Sequence, residues 1–381
     1  MDTVLINLLG DYNDHNIIAS MKLNPSKIVF IYEDIQKNNE IFVECQKFLD
    51  ERMEGIEIHG ETISFMNKKS IRDVLDKHKS ERTFVNISGG SKLNSILTYQ
   101  VANRMNIESI YIDMSEKMIV RFDEEKKINI EEGFINLNIE DFIKSSGGNI
   151  LKDNNEIYSD KRIKNFTREL IYDYSEWQEI KKILKKKKYI EYSKLLPYGL
   201  TINLSEMKNY HKYIVDKFIN KLVSNDMAHV KINNSMRIFL NFNDYLSRNF
   251  ILVSGTWLEA LTYNCIREII NVDDLKGGVV YSWDDQKYGI KNEIDVMCTI
   301  KSTLFCISCK DTSKFDENTL NELIVHSEQL GGKNTVKIIV STKDSYKSNF
   351  RQRITETDVN HIIFRGDYTE FKNQLRKVFV I

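Results

Sequence analysis

Proline is almost absent from these 381 residues, with two in the whole chain, and cysteine is sparse at five. An odd cysteine count without framework spacing gives no sign of a disulfide framework and suits a reducing cytoplasm. Net charge is missing too. Lys and Arg total 54 against 55 Asp and Glu, a formal charge of −1. Whole-molecule steering toward polyanions is therefore weak, and any nucleic-acid groove has to be locally basic. No apolar run reaches membrane-spanning length, and Met1 to Gly10 has neither a basic start nor a cleavage site, so membrane insertion and export are not expected. Nor is there an internal repeat or a low-complexity tract. The scarcity of proline, with abundant Lys, Asn and Ile, points to an AT-rich genome rather than to a function. What remains is 41% hydrophobic content in a chain long enough for two domains with cores of their own.

The densest signal lies near the carboxyl end. Asn292-Glu293-Ile294-Asp295 opens a run in which Ile294, Val296, Cys298 and Ile300 alternate with Glu293, Asp295, Met297 and Thr299. That period of two predicts a strand with acids on one face and apolar residues on the other. Lys301-Ser302-Thr303 turns the chain, and Leu304, Cys306, Ser308 and Lys310 share a face of the return strand. Pairing of the two strands brings Asp295 close to Ser308 and Lys310. Upstream, Leu258, Leu261, Cys265, Ile266 and Ile269 recur at helical spacing after Gly255-Thr256-Trp257, which puts Glu259 near the start of a helix packed on the sheet.

Phosphodiester hydrolysis calls for a divalent cation on oxygen ligands, a water made nucleophilic, and positive charge facing the phosphorus. Glu259 and Asp295 are the candidate metal-ligating carboxylates, with the Cys309 carbonyl as a neutral oxygen. Glu293 is a further acid beside them. Lys310, kept charged by its acidic neighbours, is the candidate to orient water and stabilise negative charge. Cys306-Ile307-Ser308-Cys309 is not a redox or zinc motif, because its cysteines alternate along a strand and no second pair exists.

A helix with Glu, a strand with Asp and a strand ending in x-x-Lys resembles the PD-(D/E)XK, or restriction-endonuclease-like, superfamily, whose core runs α-β-β-β-α-β. Residues 319–330, with Gly331-Gly332 as a stop, then Val336 to Ser341, continue that order as helix and strand. The superfamily's acid two residues before the lysine is Ser308 here, so Glu293, Glu259 or Glu322 has to compensate. The resemblance implies a manganese or magnesium ion.

The front third alternates strand and helix: Met1 to Leu9, Lys27 to Tyr32, residues 38–53, Ser70 to His78, Thr83 to Ile87, Leu93 to Met105, and Ile110 to Ile112. Such alternation predicts a doubly wound, mostly parallel sheet. Ligands of that fold sit beyond the carboxyl ends of the strands, where glycines let amides approach phosphate. Two loops qualify: Gly10, Asp11 and Asn13 in the first, and Ser88-Gly89-Gly90-Ser91-Lys92, preceded by Asn86, in the second. The second is neither a Walker A loop nor a dinucleotide fingerprint. A strand leading into (S/T)-G-G-(S/T)-K and a helix resembles the CARF domain, the Rossmann-like sensor of cyclic oligoadenylates in type III CRISPR defence.

Together the two halves resemble CRISPR ancillary nucleases switched on by cyclic oligoadenylate. The resemblance implies a homodimer holding one cyclic ligand, with cyclic tetra-adenylate the expected activator, on its two-fold axis, and DNA or RNA as substrate. Asn13, Asn86, Ser91 and Lys92 are the candidate readers of phosphate, ribose or base. Domains are expected over 1–145 (sensor), 146–245 (linker and helical connector) and 246–381 (nuclease), with residues 120–138 as a closing hairpin. The lysine run from Lys181 to Lys188 reads as a solvated helix face. Lys343, Lys347, Arg351 and Arg353 form a second basic candidate. Two rivals are a regulator with a degenerate nuclease-like half, and a housekeeping nuclease whose first domain senses nothing. Degradation of the cyclic ligand by the sensor itself is a third possibility.

Overall fold

A computed structural model describes residues 2–122, 128–193, 196–233, 236–283, 291–345 and 350–379. The front sheet is built from β1 (Thr3–Leu8), α1 (Asp14–Leu23), β2 (Lys27–Tyr32), α2 (Gln36–Arg52), β3 (Glu57–Thr62), α3 (Lys68–His78), β4 (Arg82–Asn86), α4 (Lys92–Arg104) and β5 (Glu108–Asp113). Strands β6 (Met118–Phe122) and β7 (Ile128–Glu132) and helix α5 (Ile139–Ser145) complete it. Strand order is β3-β2-β1-β4-β5-β6-β7, parallel from β3 to β5 and antiparallel at the β6-β7 end. The order reverses between β1 and β4. Both candidate ligand loops leave the sheet at that switch point. β3 (EIHGET) escaped the sequence reading because its residues are polar and partly exposed, as suits an edge strand.

The middle of the chain holds β8 (Asn149–Lys152), α6 (Asn155–Ser159), α7 (Lys161–Tyr172), α8 (Tyr174–Leu184), β9 (Ile190–Tyr192), β10 (Gly199–Asn203), α9 (Asn209–Ser224), β11 (Ala228–Asn233), β12 (Arg237–Phe242) and α10 (Tyr245–Leu252). It is helical only in part. β9 to β12 form an antiparallel sheet in the order β11-β12-β10-β9. These strands are too short for a period of two to stand out from the surrounding helical pattern.

The back domain runs α11 (Thr256–Ile269), β13 (Asp274–Ser282), β14 (Asn292–Ile300), β15 (Thr303–Lys310), α12 (Glu317–Gly331), β16 (Val336–Ser341), α13 (Phe350–Glu356), β17 (Val359–Ile363) and α14 (Tyr368–Val378). The expected α-β-β-β-α-β order is present from α11 to β16. Its sheet, β17-β16-β15-β14-β13-β8, is covered on both faces. Val296, Cys298, Phe305 and Ile307 pack toward α11. Met297, Leu304 and Cys306 pack in a second cluster with α12.

Strict alternation, with acids on one face and apolar residues on the other, is therefore corrected. Ile294 sides with Met297 and not with Val296, so the alternation breaks at Asp295. Opposite the break, between the pairs Gly277↔Val296 and Val279↔Ile294, lies Gly278 with φ +56. A left-handed residue there re-aims the strand locally, and glycine tolerates it.

The second cluster also contains Leu5, Phe30 and Phe84 from the front sheet, Ile17 of α1, and Phe142 and Ile143 of α5, so front and back domains share one continuous core. Hydrogen bonds cross the same junction, from Leu137 N to Ser302 Oγ at 2.9 Å and from Ile139 N to Asp274 Oδ2 at 3.1 Å. Lys301 and Ser302 form the two-residue β14-β15 turn, both with positive φ (47 and 58) as the tight hairpin turn requires.

Candidate active site and ligand loops

Gly255, at φ +101, caps α11 and accepts the Leu258 and Glu259 amides. A Cβ on Gly255 would lie 3.2 Å from Glu259 Oε1, so glycine leaves this carboxylate room in the first helical turn. Burial, then the charge of Asp295 and that of Glu293, push Glu259 up to about 8, with hydrogen bonding from Tyr158 and the charge of Lys310 opposing. Asp295 is also raised, by burial first, although Lys310, the Cys309 amide and Ser308 all favour its ionised form. Cys309 N donates to Asp295 Oδ2 at 2.6 Å, Ser308 Oγ at 3.3 Å, and Lys310 Nζ stands 3.8 Å away. Two carboxylates with one lysine in a half-buried site leave a surplus negative charge. A retained proton or an added cation relieves it.

The sequence-predicted set thus assembles, with Glu293 as an exposed neighbour whose charge Glu259 feels. Glu322 does not join: it is exposed on α12, which packs on the other face of the sheet. Ser308 holds Asp295 instead of supplying a third acid. Cys309 directs its thiol to Thr262 Oγ1 at 3.6 Å, and burial keeps that thiol protonated, so sulfur is not a ligand. Because N–H and C=O of one strand residue point to the same edge, the Cys309 carbonyl faces the β14 side, past the last described pair Val296↔Ile307.

Tyr158 was missed. Its hydroxyl donates a short hydrogen bond to Glu259 Oε2, and its ring fits against β13 only because residue 277 is glycine, where a Cβ would come within 2.2 Å of it. Gly277-Gly278 was the available signal, since paired glycines inside a strand mark close approach or a bulge. Asp311, next to Lys310, is a second omission. It accepts from Lys181 Nζ (2.6 and 2.7 Å), Trp257 Nε1 (2.7 Å) and Thr342 Oγ1 (3.0 Å).

Among the described residues, no group of three or more His, Cys, Asp and Glu side chains is placed to hold a metal ion. Glu259 and Asp295 nonetheless make a partly buried, charge-surplus pair of hard oxygen donors, joined by a carbonyl on the same edge. That donor set fits a small hard cation that keeps several waters. All five cysteines are buried and free, as expected for packing thiols. Of the second basic candidate, Arg351 pairs with Asp344 at 3.0 Å and Arg353 with Glu356 at 3.6 Å, while Lys347 lies outside the described residues.

In the front domain, the two loops meet. A Cβ on Gly89 would fall 1.9 Å from Leu8 O, so only glycine lets the second loop lie on the end of β1. Gly90 follows at φ +68, Ser91 caps α4 by accepting Asn94 N at 3.1 Å, and Ser91 and Lys92 are exposed. Asn13 is buried and closes the first loop through Gly10, with Nδ2 donating to Gly10 O at 2.8 Å. Asn86 is fully buried, donating to Asn7 Oδ1 (3.0 Å) and Asn16 Oδ1 (2.9 Å) while accepting from Ser88. Its amide is spent inside the fold, so in this conformation Asn86 supports the loop and does not face a ligand. Asp11 is exposed, 2.5 Å from Lys37.

Comparison with known proteins agrees with this division. Residues 4–142 match the family model of the Card1 CARF domain, and residues 247–379 match that of the Card1-like endonuclease domain. No curated protein matches the sequence. Among solved structures, protein VC1899 from Vibrio cholerae superposes with a TM-score of 0.77 at 15% identity, over 99% of this chain and 97% of its own. Can2 from Sulfobacillus thermosulfidooxidans, in complex with cyclic tetra-adenylate, gives 0.72 at 15% identity, over 98% of each chain. At such identities the likeness speaks for the fold. With both families matched in order, the chain's front belongs to the Card1 CARF domain family and its back to the Card1-like endonuclease domain family.

Proposed function

We propose that this chain is a metal-dependent endonuclease, switched on by cyclic oligoadenylate in CRISPR defence, that cuts DNA, RNA or both. The observation that carries the reading is the convergence of Glu259, Asp295 and Lys310 at the broken alternation of β14, inside a Card1-like endonuclease domain. Glu259, Asp295 and the Cys309 carbonyl would hold magnesium or manganese, which supplies a nucleophilic water and neutralises phosphate charge when bound. Lys310 orients that water and faces the developing negative charge. Tyr158 fixes the Glu259 carboxylate, and Ser308 and the Cys309 amide fix that of Asp295.

Cyclic tetra-adenylate is the proposed activator, from the CARF match and from the ligand bound by Can2. Ser91, Lys92 and the amides of Gly89 and Gly90 are the proposed contacts. Leu93 and Ile96, 51% and 54% exposed on the first turns of α4 beside this loop, favour a second copy there and hence a homodimer around the ligand. The front domain holds the β14-β15 turn through Leu137 N to Ser302 Oγ, so movement in the sensor reaches the hairpin bearing Asp295 and Lys310. Ligand activates only as far as it binds the competent state more tightly. A non-cleaving regulator is the second reading, favoured by serine at position 308. The test incubates purified protein with single-stranded DNA, supercoiled DNA and RNA, in manganese or magnesium, with and without cyclic tetra- or hexa-adenylate. Cleavage that needs ligand and metal and is lost in Asp295→Ala supports the reading. No cleavage of any polymer under any condition leaves the regulator.

A further inference from the structure

Beside the acids lies a cavity of about 570 Å³ that the reaction as described does not use. Two of its lining residues tie it to the chemistry. Gly255 caps the helix that carries Glu259, and Asp311 directly follows Lys310. Its floor is apolar, from Phe250, Ile251 and Leu252 of α10, and Tyr192 at its edge is 52% exposed. Lys185 and Lys187, in the turn after α8, stand exposed on the rim. The lysine run is thus not a solvated helix face. It straddles the end of α8, and part of it borders a pocket.

We propose that this cavity is a base-stacking subsite for the nucleotide flanking the cleaved phosphate of a single-stranded nucleic acid. The proposal rests on the nuclease reading and names how its substrate is held. An exposed tyrosine and an apolar wall lining one cavity offer a base a surface to stack on, and such stacking tolerates any sequence. The volume is within the range of pockets that take a nucleotide-sized ligand. Electrostatics point the same way. Three lysines line the cavity against two acids, Glu191 and Asp311. Asp311 is already neutralised by Lys181 and by hydrogen bonds from Trp257 and Thr342, so it does not repel a neighbouring phosphate. Lys185 and Lys187 then outnumber Glu191, which leaves a net positive charge to face the strand's backbone. A base reaches such a pocket only when unpaired, and extruding it from a duplex costs unstacking energy, which favours single strands. Tyr192, Lys185 and Lys187 lie outside the 247–379 endonuclease match, so the middle segment completes a substrate groove that the nuclease core lacks.

The experiment uses full-length protein with cyclic tetra-adenylate in EDTA, and a short single-stranded oligonucleotide bearing one 2-aminopurine at successive positions. Binding is read by anisotropy and stacking by 2-aminopurine quenching. Wild type should quench the probe at one or two adjacent positions. Tyr192→Ala should abolish that quench and weaken binding about five- to tenfold. Tyr192→Phe should retain both, and Lys185→Ala with Lys187→Ala should weaken binding and flatten its salt dependence. Unquenched probe at every position in wild type, or equal quenching and affinity in Tyr192→Ala, overturns the subsite. Cleavage of the same strand in manganese separates the two readings. Cutting with an unchanged KM in Tyr192→Ala removes the subsite and keeps the nuclease. A Tyr192-dependent quench with no cutting removes the nuclease and keeps the strand-binding groove.

Discussion

Replacing Glu259 by Gln should make the metal-free protein more stable at neutral pH and no more stable in acid. The reasoning is linkage. Glu259 ionises near 4.5 when exposed and near about 8 in the fold, because it is buried against Asp295. Between those values the folded chain keeps a proton that the unfolded chain has released, so stability falls as pH rises through that window. Each unit costs about 1.4 kcal/mol, which accumulates to about 3 kcal/mol by pH 7. Above the folded value both states have lost the proton and the penalty stops growing. Below the unfolded value both hold it and no penalty remains. Glutamine keeps the shape and an oxygen to accept from the Tyr158 hydroxyl, but never ionises. At about 2 °C per kcal/mol, the variant should melt about 6 °C higher at pH 7 and more at pH 8, with the gap closing toward pH 5. Thermal melts in EDTA across that range check this. Because the two carboxyls titrate together, Asp295→Asn should show the same trend. A difference that is flat with pH, or a glutamine variant less stable at pH 8, would refute the claim that these acids crowd one half-buried site.

At the proposed metal site the same crowding should make cation binding expel a proton: below pH 8, manganese affinity should rise with pH, and calorimetry in buffers of different ionisation enthalpy should register proton release that Glu259→Gln reduces. Lys310→Ala should slow cleavage at least about a hundredfold while leaving binding of cyclic tetra-adenylate unchanged, measured by single-turnover cutting and by calorimetry. Gly89→Ala puts a methyl where Leu8 O stands 1.9 Å away, so it should displace the loop and lower cyclic tetra-adenylate affinity more than tenfold, with the nuclease domain still folded by circular dichroism.

What the sequence disclosed followed from local rules, and what it hid depended on partners far along the chain. Asp295, Ser308 and Lys310 could be placed together because a two-residue turn fixes the register of one hairpin. Glu259 could be placed because helical periodicity and the glycine before it mark where α11 begins. Tyr158 could not, since it sits 101 residues before Glu259 in a five-residue helix with no periodic pattern. The direction of Asp295 was only half legible: alternation named its strand, but the left-handed Gly278 that re-aims it lies on a neighbouring strand. In the front domain, Gly89 and Gly90 announced a loop, whereas the burial of Asn86 comes from Asn7 and Asn16, which the sequence holds about 70 to 80 positions away. The β9 to β12 sheet was hidden for the same reason, each short strand depending on partners outside its own window.

The proposed cleavage requires a cation held between Glu259 and Asp295 beside Lys310. Anomalous scattering from crystals grown with manganese locates that ion directly. A peak should touch both carboxylates and the Cys309 carbonyl and be lost in Asp295→Ala. Manganese bound elsewhere, with the two acids turned away from each other, would contradict that requirement.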